Sequence, residues 1–361
     1  MAGTRIVRAG LAAATALALL TTTMAAPAGA ADPRATQVAS DATWIRQGQL
    51  PDGAIAWYVD RQRINPYLGN YAAIGLAEAY RVTRTTADLT AASAWLSWYA
   101  AHENASGFVT DYTVSSTGIE TSTGDMDSTD AYAGTFLLAV RAVSRAGGNI
   151  KTLTTAIKGA VTAVEATQDG DGLTWAKPTW QVKYLMDESE VYAGLRAAAD
   201  LGTTLNDRTL RARAMVDANA VAAGVSGLWD ASTQAYDWAR DGGAQVATNW
   251  ANLYSDSMEQ AWASTFGVAS PSAGLLTTLD NDHPLWDQPG ATDLVNGSPA
   301  TVGYWPVAGW GFLASGSAAR AATAATHIRS AALTTNRAWP FTTGNAGQLI
   351  VLESADLSLI S

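Results

Sequence analysis

A repeated tripeptide constrains the fold of this chain more than any other feature of the sequence. Tyr71-Ala72-Ala73, Tyr132-Ala133-Gly134 and Tyr192-Ala193-Gly194 follow one another at intervals of 61 and 60 residues. Each tripeptide lies near the start of an apolar segment with helical spacing, and a more charged helical segment follows it, such as "LRARAMVDANAV". This interval accommodates one helical hairpin and one long loop, which is typical of a stacked or closed array of hairpins.

Helical periodicity continues along the whole chain beyond Ser40, and strand-like alternation is nearly absent. The sequence predicts about twelve helices, at residues 41–48, 70–82, 87–103, 128–145, 149–167, 188–201, 207–223, 257–270, 271–280, 302–314, 317–332 and 344–354. Turns inside a hairpin are short, whereas the loops that return to the next hairpin are long. If the apolar helices form an inner ring, all the long loops emerge on the same face, and long loops in a compact domain are usually functional.

The first 31 residues have the features of a cleavable secretory signal. Arg5 and Arg8 precede a short apolar stretch, and small residues follow at Ala28-Gly29-Ala30. We therefore expect residues 1–31 to be removed and residues 32–361 to form a single domain that is secreted and extracellular. No later segment resembles a membrane span. The chain has no cysteine, which excludes disulfides and thiolate metal sites.

Composition narrows the range of partners. A formal net charge of −10 argues against nucleic acid as a partner. The three histidines, His102, His283 and His327, are scattered, so we expect neither a metal nor another cofactor. Tryptophan is abundant, with 14 residues against 5 phenylalanines, and half of the tryptophans lie in the long return loops. Flat aromatic faces with a polar edge suit the stacking of sugar rings, so we expect a carbohydrate partner. We also expect the protein to be a monomer.

The chain resembles the six-hairpin glycosidase-like proteins. The phrases "MDSTDAYAGTFLLA", "QDGDGLTW" and "LMDESEVYAGLRAAADLG", the hairpin period and the Trp-rich return loops carry this resemblance over nearly the whole chain after the signal. It implies an all-α fold, an (α/α)6 toroid of six helical hairpins, which many bacterial glycoside hydrolases share with some polysaccharide lyases and sugar epimerases. No complete catalytic motif of one family is present, so the resemblance assigns no role to a particular residue.

Acidic residues recur at the start of the apolar segments. "MDSTDAYAG" at 126–134 and "MDESEVYAG" at 186–194 share the pattern Met-Asp-x-x-acid, and "SDSMEQAWA" at 255–263 keeps the two acids. One interpretation is structural. An Asp at the N-cap and an acid three residues later can accept hydrogen bonds from the free backbone N–H groups at the start of a helix. The other is catalytic, because hydrolysis of a glycosidic bond usually needs two carboxyl groups.

The two interpretations are compatible, since a cap at the mouth of a toroid also faces the substrate. We take Asp127, Asp187 and Asp256 as the first catalytic candidates because of their repeated position, followed by Asp130 and Asp60. The substrate-binding candidates are the aromatic and acidic residues Trp175, Trp180, Tyr184, Trp229, Trp250, Tyr254, Glu190 and Glu259.

The sequence therefore predicts a secreted glycoside hydrolase that acts on a poly- or oligosaccharide by paired-carboxylate acid/base catalysis. Two alternatives stay open. A non-catalytic glycan-binding protein would use the same aromatic groove. A polysaccharide lyase would need cations for a uronate and a Tyr or His base, and Lys177, Lys183 and Tyr184 keep that alternative open.

Overall fold

A computed structural model of the chain describes residues 32–268, 274–289 and 303–361. The predicted signal segment 1–31 lies outside these residues, as do the end of the predicted helix 257–270 and the starts of the predicted helices 271–280 and 302–314. The described chain contains twelve α-helices: α1 Pro33–Gln47, α2 Pro66–Thr83, α3 Thr86–His102, α4 Thr129–Arg145, α5 Thr154–Thr167, α6 Leu185–Thr204, α7 Arg208–Ser226, α8 Met258–Phe266, α9 Leu275–Asp282, α10 Pro306–Ala314, α11 Ala318–Thr334 and α12 Thr343–Ser354.

The even-numbered helices form a closed inner ring. Each of α2, α4, α6, α8, α10 and α12 packs against the next in chain order, and α12 packs against α2. Helix α4 is accordingly buried on all sides from Thr129 to Val143. The odd-numbered helices lie outside and bury one stripe, as α7 does with Leu210, Ala214, Ala218, Val221 and Val225. The fold is the predicted all-α toroid of six helical hairpins, the last of which pairs α12 with α1.

The glycines of the repeated tripeptide explain how the inner helices pack so closely. A Cβ atom added to Gly194 of α6 would lie 2.4 Å from the carbonyl oxygen of Gly134 of α4. At the contact of α2 with α12, a Cβ on Gly75 of α2 would lie 2.3 Å from the Cα of Gly347 in α12. Only glycine permits backbones to approach to this distance, so the close contacts of α4 with α6 and of α2 with α12 require glycine at these positions.

The interpretation of the repeated acids as helix caps is wrong. Helix α4 begins two residues after Asp127, and α6 begins two residues before Asp187. The N-cap positions of α4, α6 and α8 are Ser128, Tyr184 and Ser257, and none of these helices has a side-chain hydrogen bond at its cap. Capping side chains are found instead on α2, α7 and α12. Asn65 accepts a hydrogen bond from Leu68 N at 3.1 Å, Asp207 accepts one from Leu210 N at 2.9 Å, and Thr342 forms a capping box.

Short strands that the sequence did not reveal hold the return loops in place. They form three small antiparallel sheets. The first contains β1 Arg63–Ile64, β2 Tyr112–Val114 and β3 Glu120–Ser122; the second contains β4 Lys183–Tyr184, β7 Ala239–Asp241 and β8 Ala244–Val246; the third pairs β5 Trp229–Asp230 with β6 Ala235–Tyr236. These strands have only two or three residues, which is too short for alternation to register in the sequence.

Within the described residues, no helix combines the length and the apolar character that a membrane crossing requires.

Candidate active site

A cavity of about 420 Å³ opens where α4, α6 and α8 begin. Its lining consists of Asp127, Ser128, Ala176, Lys177, Trp180, Tyr184, Met186, Asp187, Trp238, Tyr254, Ser255 and Glu259. Three carboxyl groups and one ammonium group therefore face the same space, together with four aromatic rings. Of the residues predicted from the sequence, the structure brings together Asp127, Asp187, Trp180, Tyr184, Tyr254 and Glu259 at this cavity.

One wall of the cavity is aromatic and is ordered by hydrogen bonds and ring contacts. Trp180 is 53% exposed, and its indole N–H donates to the Tyr184 hydroxyl at 2.9 Å. The Tyr184 ring is stacked on Trp238, with centroids 6.0 Å apart. Tyr254, on the α8 side, is stacked on Trp305 at 5.0 Å. Exposed rings with fixed orientation provide flat apolar faces beside the carboxyl groups.

Asp127 lies at the rim, exposed to solvent. Its backbone N–H donates to the Tyr132 hydroxyl at 3.2 Å, and that hydroxyl donates in turn to the carboxylate of Asp111 at 2.8 Å. The side chain of Asn65 donates to the same Tyr132 hydroxyl at 2.7 Å. Tyr132, which belongs to the first Met-Asp motif, thus fixes the loop that presents Asp127.

Asp187 is only partly exposed and belongs to the first turn of α6. Its Oδ2 atom is 2.8 Å from the hydroxyl of Ser128. Burial raises the pKa of Asp187 well above the ordinary aspartate value, and the charges of Asp130 and Glu190 raise it further. A carboxyl group with a raised pKa that still reaches a cavity can hold a proton at neutral pH and deliver it to a ligand.

Behind Asp187, a chain of hydrogen bonds runs into the protein. The Ser128 hydroxyl is 2.6 Å from Oδ1 of Asp130, which is fully buried. The Thr174 hydroxyl is 2.7 Å from Oδ2 of Asp130, and the Thr174 N–H donates to Glu188 at 2.6 Å. Burial raises the pKa of Asp130, and it raises the pKa of Glu188 well above the ordinary glutamate value.

Glu190 and Glu259 complete the group of buried acids at the helix starts. One oxygen of Glu190 accepts hydrogen bonds from the hydroxyls of Tyr67 and Tyr71 and from the indole of Trp262, at 2.7, 2.5 and 2.9 Å. Burial raises the pKa of Glu190 to about 7, although these three donors oppose the shift. Glu259 accepts from the backbone N–H of Met186 at 3.1 Å, and burial raises its pKa well above the ordinary value.

Two catalytic candidates lie away from the cavity. Asp256 is buried, and its carboxylate accepts hydrogen bonds from the backbone of Asn249 and the side chain of Asn252, so it serves the loop before α8. Asp60 is exposed in a different surface depression, beside Arg61 and Arg63. Asp130 and Glu190 lie behind the lining, and each is fully enclosed.

Three tryptophans that were expected to bind substrate pack within the loops instead of lining the cavity. Trp229 contacts Tyr236 edge-on at 5.0 Å across the β5–β6 pair. Trp250 donates its indole N–H to the carbonyl oxygen of Thr233 at 3.1 Å. Trp175 is half-buried and lies near the carboxylate of Asp169. Position in a long loop did not distinguish these rings from Trp180, because loop-to-loop packing is decided by contacts that are distant in sequence.

Sequence reasoning missed several residues of the site. Ser128 and Glu188 lie inside the repeated motifs, and Thr174 lies in the phrase "QDGDGLTW". Their place in the site is visible only from their hydrogen bonds in the structure. Trp238 carries no signal beyond its residue type. In ranges 32–268, 274–289 and 303–361 no group of three or more His, Asp or Glu side chains is arranged to hold a metal ion.

Known structures with the same architecture are found by comparison of the fold. A glycosidase variant in complex with glucose superimposes with a TM-score of 0.63 at 17% identity, over 91% of this chain and 98% of that one. A metal-independent α-mannosidase of Streptococcus pneumoniae, in complex with α-1,6-mannobiose, gives a TM-score of 0.67 at 11% identity, over 91% and 94%. A D-mannose isomerase gives 0.56 at 11% identity, over 90% and 96%.

No protein-family model and no curated protein sequence matches the chain. At these identities the structural similarity establishes the α/α toroid fold, and the activity has to be argued from the site.

Proposed function

We propose that this protein is a glycoside hydrolase that acts on a poly- or oligosaccharide. One observation carries the proposal: the partly exposed carboxyl group of Asp187 and the exposed carboxylate of Asp127 line one cavity, beside a wall of ordered aromatic rings. Paired carboxyl groups with different environments are the requirement of glycosidic hydrolysis. The sugar-bound glycosidase structures of the same fold support the proposal.

In the proposed reaction Asp187 is the general acid. Its raised pKa keeps a proton available near neutral pH, and its place in the cavity lets that proton reach the glycosidic oxygen. Asp127 is the candidate for the second carboxyl group, because its exposed side chain lines the same cavity. Glu259 also lines the cavity, but it is 2% exposed and its pKa is raised, so we assign it to hydrogen bonding with sugar hydroxyls.

The aromatic wall is the proposed sugar platform. Trp180, Tyr184 and Tyr254 present faces or edges to the cavity, and sugar rings stack their C–H surfaces on such groups. Lys177 stands at the rim but is held by Asp125 and by the carbonyl oxygen of Met126, at 2.8 and 2.7 Å. An ammonium group that is already paired favours a neutral substrate over a uronate.

A lyase mechanism receives less support from the same cavity. Its base would have to be Tyr184 or Tyr254, since no histidine is among the described residues that line the cavity. Burial raises the pKa of Tyr184, and the neighbouring carboxyl groups of Asp187, Glu259 and Asp127 raise it further. Burial likewise raises the pKa of Tyr254. Both tyrosines therefore keep their protons at neutral pH and are unsuited to abstract another.

Incubation with a panel of bacterial, fungal and plant polysaccharides tests the proposal. We expect new reducing ends with at least one neutral glycan. Absorbance from unsaturated uronates would indicate the lyase. Binding without any product, unaffected by Asp187→Asn, would indicate a glycan-binding protein, because such a protein tolerates the loss of a single carboxyl group.

We further propose that the enzyme works outside the cell as a monomer after loss of residues 1–31. The signal-like sequence of residues 1–31 supports secretion. N-terminal sequencing of protein from the culture medium should begin near Asp32, and light scattering should give the mass of one chain. Retention of Met1 in an intracellular protein would contradict the proposal.

A further inference from the structure

The hydrogen bonds behind Asp187 can be assigned by counting protons. A serine or threonine hydroxyl donates one hydrogen bond only. The Ser128 hydroxyl lies 2.6 Å from Asp130 and 2.8 Å from Asp187, and the Thr174 hydroxyl lies 2.7 Å from Asp130 and 3.2 Å from Glu188. In both cases Asp130 is the nearer acceptor, so both hydroxyl protons point at Asp130.

Asp130 also accepts the backbone N–H of Ala131 at 2.8 Å. With three donors, its carboxylate is the best stabilised of the buried acids in this chain of bonds. Once the Ser128 proton points at Asp130, the 2.8 Å contact between Ser128 and Asp187 is a hydrogen bond only if Asp187 donates it. The geometry therefore requires a proton on Asp187 when Asp130 is ionised.

We infer that Asp130 and Asp187 share one proton through the Ser128 hydroxyl, and that the buried charge of Asp130 holds this proton on Asp187. Asp130 is then a positioning residue: it does not face the cavity, and it acts on substrate through Asp187 alone. The inference about catalysis rests on the proposed function, whereas the shared proton does not.

The proton balance of the step is simple. Asp187 transfers its proton to the glycosidic oxygen as the bond between that oxygen and the anomeric carbon breaks, and the bonding electrons leave with the oxygen. A water molecule adds to the anomeric carbon and releases one proton to Asp127, from which the proton returns to solvent. Asp130 and Asp187 then both carry a charge across one hydroxyl group. Their repulsion favours rapid reprotonation of Asp187 by water at the open side of the cavity, which restores the resting state.

Other charged groups around Asp187 are common to every variant compared below. The neighbouring acids are Asp127, Glu188, Glu190 and Glu259. The neighbouring hydroxyl groups belong to Tyr67 of α2, Tyr184 and Tyr254, and the cation of the cavity lining is Lys177. Removal of the Asp130 charge alone therefore isolates its contribution.

Infrared titration of the intact protein tests the shared proton without any substrate. The absorption of protonated carboxyl groups is followed against pH, and the Asp187 contribution is identified by subtracting the spectrum of Asp187→Asn. In Asp130→Asn we expect the midpoint for Asp187 to fall by about one pH unit or more, the usual effect of removing one close charge. An unchanged midpoint would overturn the inference. If Asp130→Asn does not fold, the uncharged Asp130→Ser gives the same comparison.

The catalytic consequence is read from the pH dependence of kcat/KM on a substrate the protein hydrolyses. The alkaline limb should move to lower pH in Asp130→Asn by the same interval, whereas a purely structural role would lower activity equally at all pH values. Asp282→Asn, at the exposed end of α9, is the matched control and should move neither readout. An infrared shift in a protein that hydrolyses no glycan would support the shared proton and contradict the proposed function.

Discussion

The two copies of the Met-Asp motif share their letters but not their positions in the fold. In the first, α4 begins after Asp127, which stays exposed at the rim. In the second, α6 begins before Asp187, which is carried into the first helical turn and is half-buried. Relative to the motif, α6 starts four residues earlier than α4, which is about one helical turn. A shift of one turn converts a repeated aspartate into two groups with different environments.

The same motifs agree where the ring requires it. Gly134 and Gly194 meet each other at the contact of α4 and α6, so the motif is fixed at its glycine and free at its aspartate. This freedom is what a pair of catalytic carboxyl groups needs, because an acid and its ionised partner require unequal surroundings. The repeat is therefore architectural at its glycine, and in the proposed function it is catalytic at its aspartate.

The largest effect should come from removing the half-buried acid. We expect Asp187→Asn to lower kcat/KM by ~100-fold or more, the lower end of what general acid catalysis contributes. The free energy of unfolding should not fall, because the substitution removes a group that burial and like charges disfavour when ionised. Activity assays and denaturant unfolding of the same preparation measure both quantities.

The third copy of the motif supplies the control for this experiment. Asp256 occupies the corresponding sequence position but is enclosed by Asn249 and Asn252 outside the cavity. Asp256→Asn should keep most of the activity of any sample that remains folded. Full activity of Asp187→Asn together with loss of activity in Asp256→Asn would reverse the comparison.

A second prediction concerns the point where the motifs agree. Gly194→Ala should lower the free energy of unfolding by about 1–3 kcal/mol, the usual cost of overpacking a core. The added Cβ would lie 2.4 Å from the backbone of Gly134, which cannot move without shifting α4. Gly170→Ala is the control, since no atom lies within 4 Å of its added Cβ. Equal stability of both variants, measured by chemical denaturation, would refute this explanation of the repeat.

Aromatic residues, like the acids, should divide into those that line the cavity and those that pack outside it. Trp180→Ala should weaken glycan binding by roughly 1–3 kcal/mol, a range borrowed from base–aromatic stacking, with little loss of thermal stability. Trp229→Ala should show the opposite pattern, because Trp229 packs against Tyr236 outside the cavity. Calorimetric titration with the identified glycan and thermal unfolding separate the two. Normal glycan binding by Trp180→Ala would show that Trp180 is not part of the sugar-binding surface.

A further prediction concerns the pH dependence of stability at Glu190, the counterpart of Asp130 in the second motif. Its pKa is about 7 in the folded protein against an ordinary value of 4.5, so between these values the folded state holds the proton more tightly than the unfolded chain. Stability contributed by the protonated group is then lost as pH rises through this window. The three donors to Glu190 oppose the shift and narrow the pH window over which stability changes.

Glu190→Gln removes this ionisation and should flatten the dependence. The measurement is the free energy of unfolding of both proteins at several pH values from 4.5 to 7. A slope that is identical in the two proteins would show that Glu190 does not titrate in this range.

The sequence predicts the helices well because their signal is local. Periodicity placed α4 at 128–145 and the structure has Thr129–Arg145. The start of α6 was less accurate, since 188 was predicted and Leu185 is found. That start depends on the pairing of β4 with β7 and on a hydrogen bond from Leu185 N to the carbonyl oxygen of Trp238, a partner far along the chain.

The site could be predicted only as far as residue types and motif positions allow. Asp127, Asp187 and Trp180 stood in recognisable places, but nothing in the sequence showed that Thr174 lies beside Asp130 or that Asp256 is enclosed by asparagines. Both facts depend on how return loops fold against neighbouring helix starts. The same long-range contacts decide which tryptophans are exposed.

The structure of Asp187→Asn crystallised with a hydrolysable oligosaccharide tests the central claim most directly. We predict a sugar ring stacked on the aromatic wall, with a glycosidic oxygen within hydrogen-bond distance of the side chain at position 187 and with Asp127 on the other side of the scissile bond. An oligosaccharide bound elsewhere on the toroid, with this cavity filled only by solvent, would contradict the account.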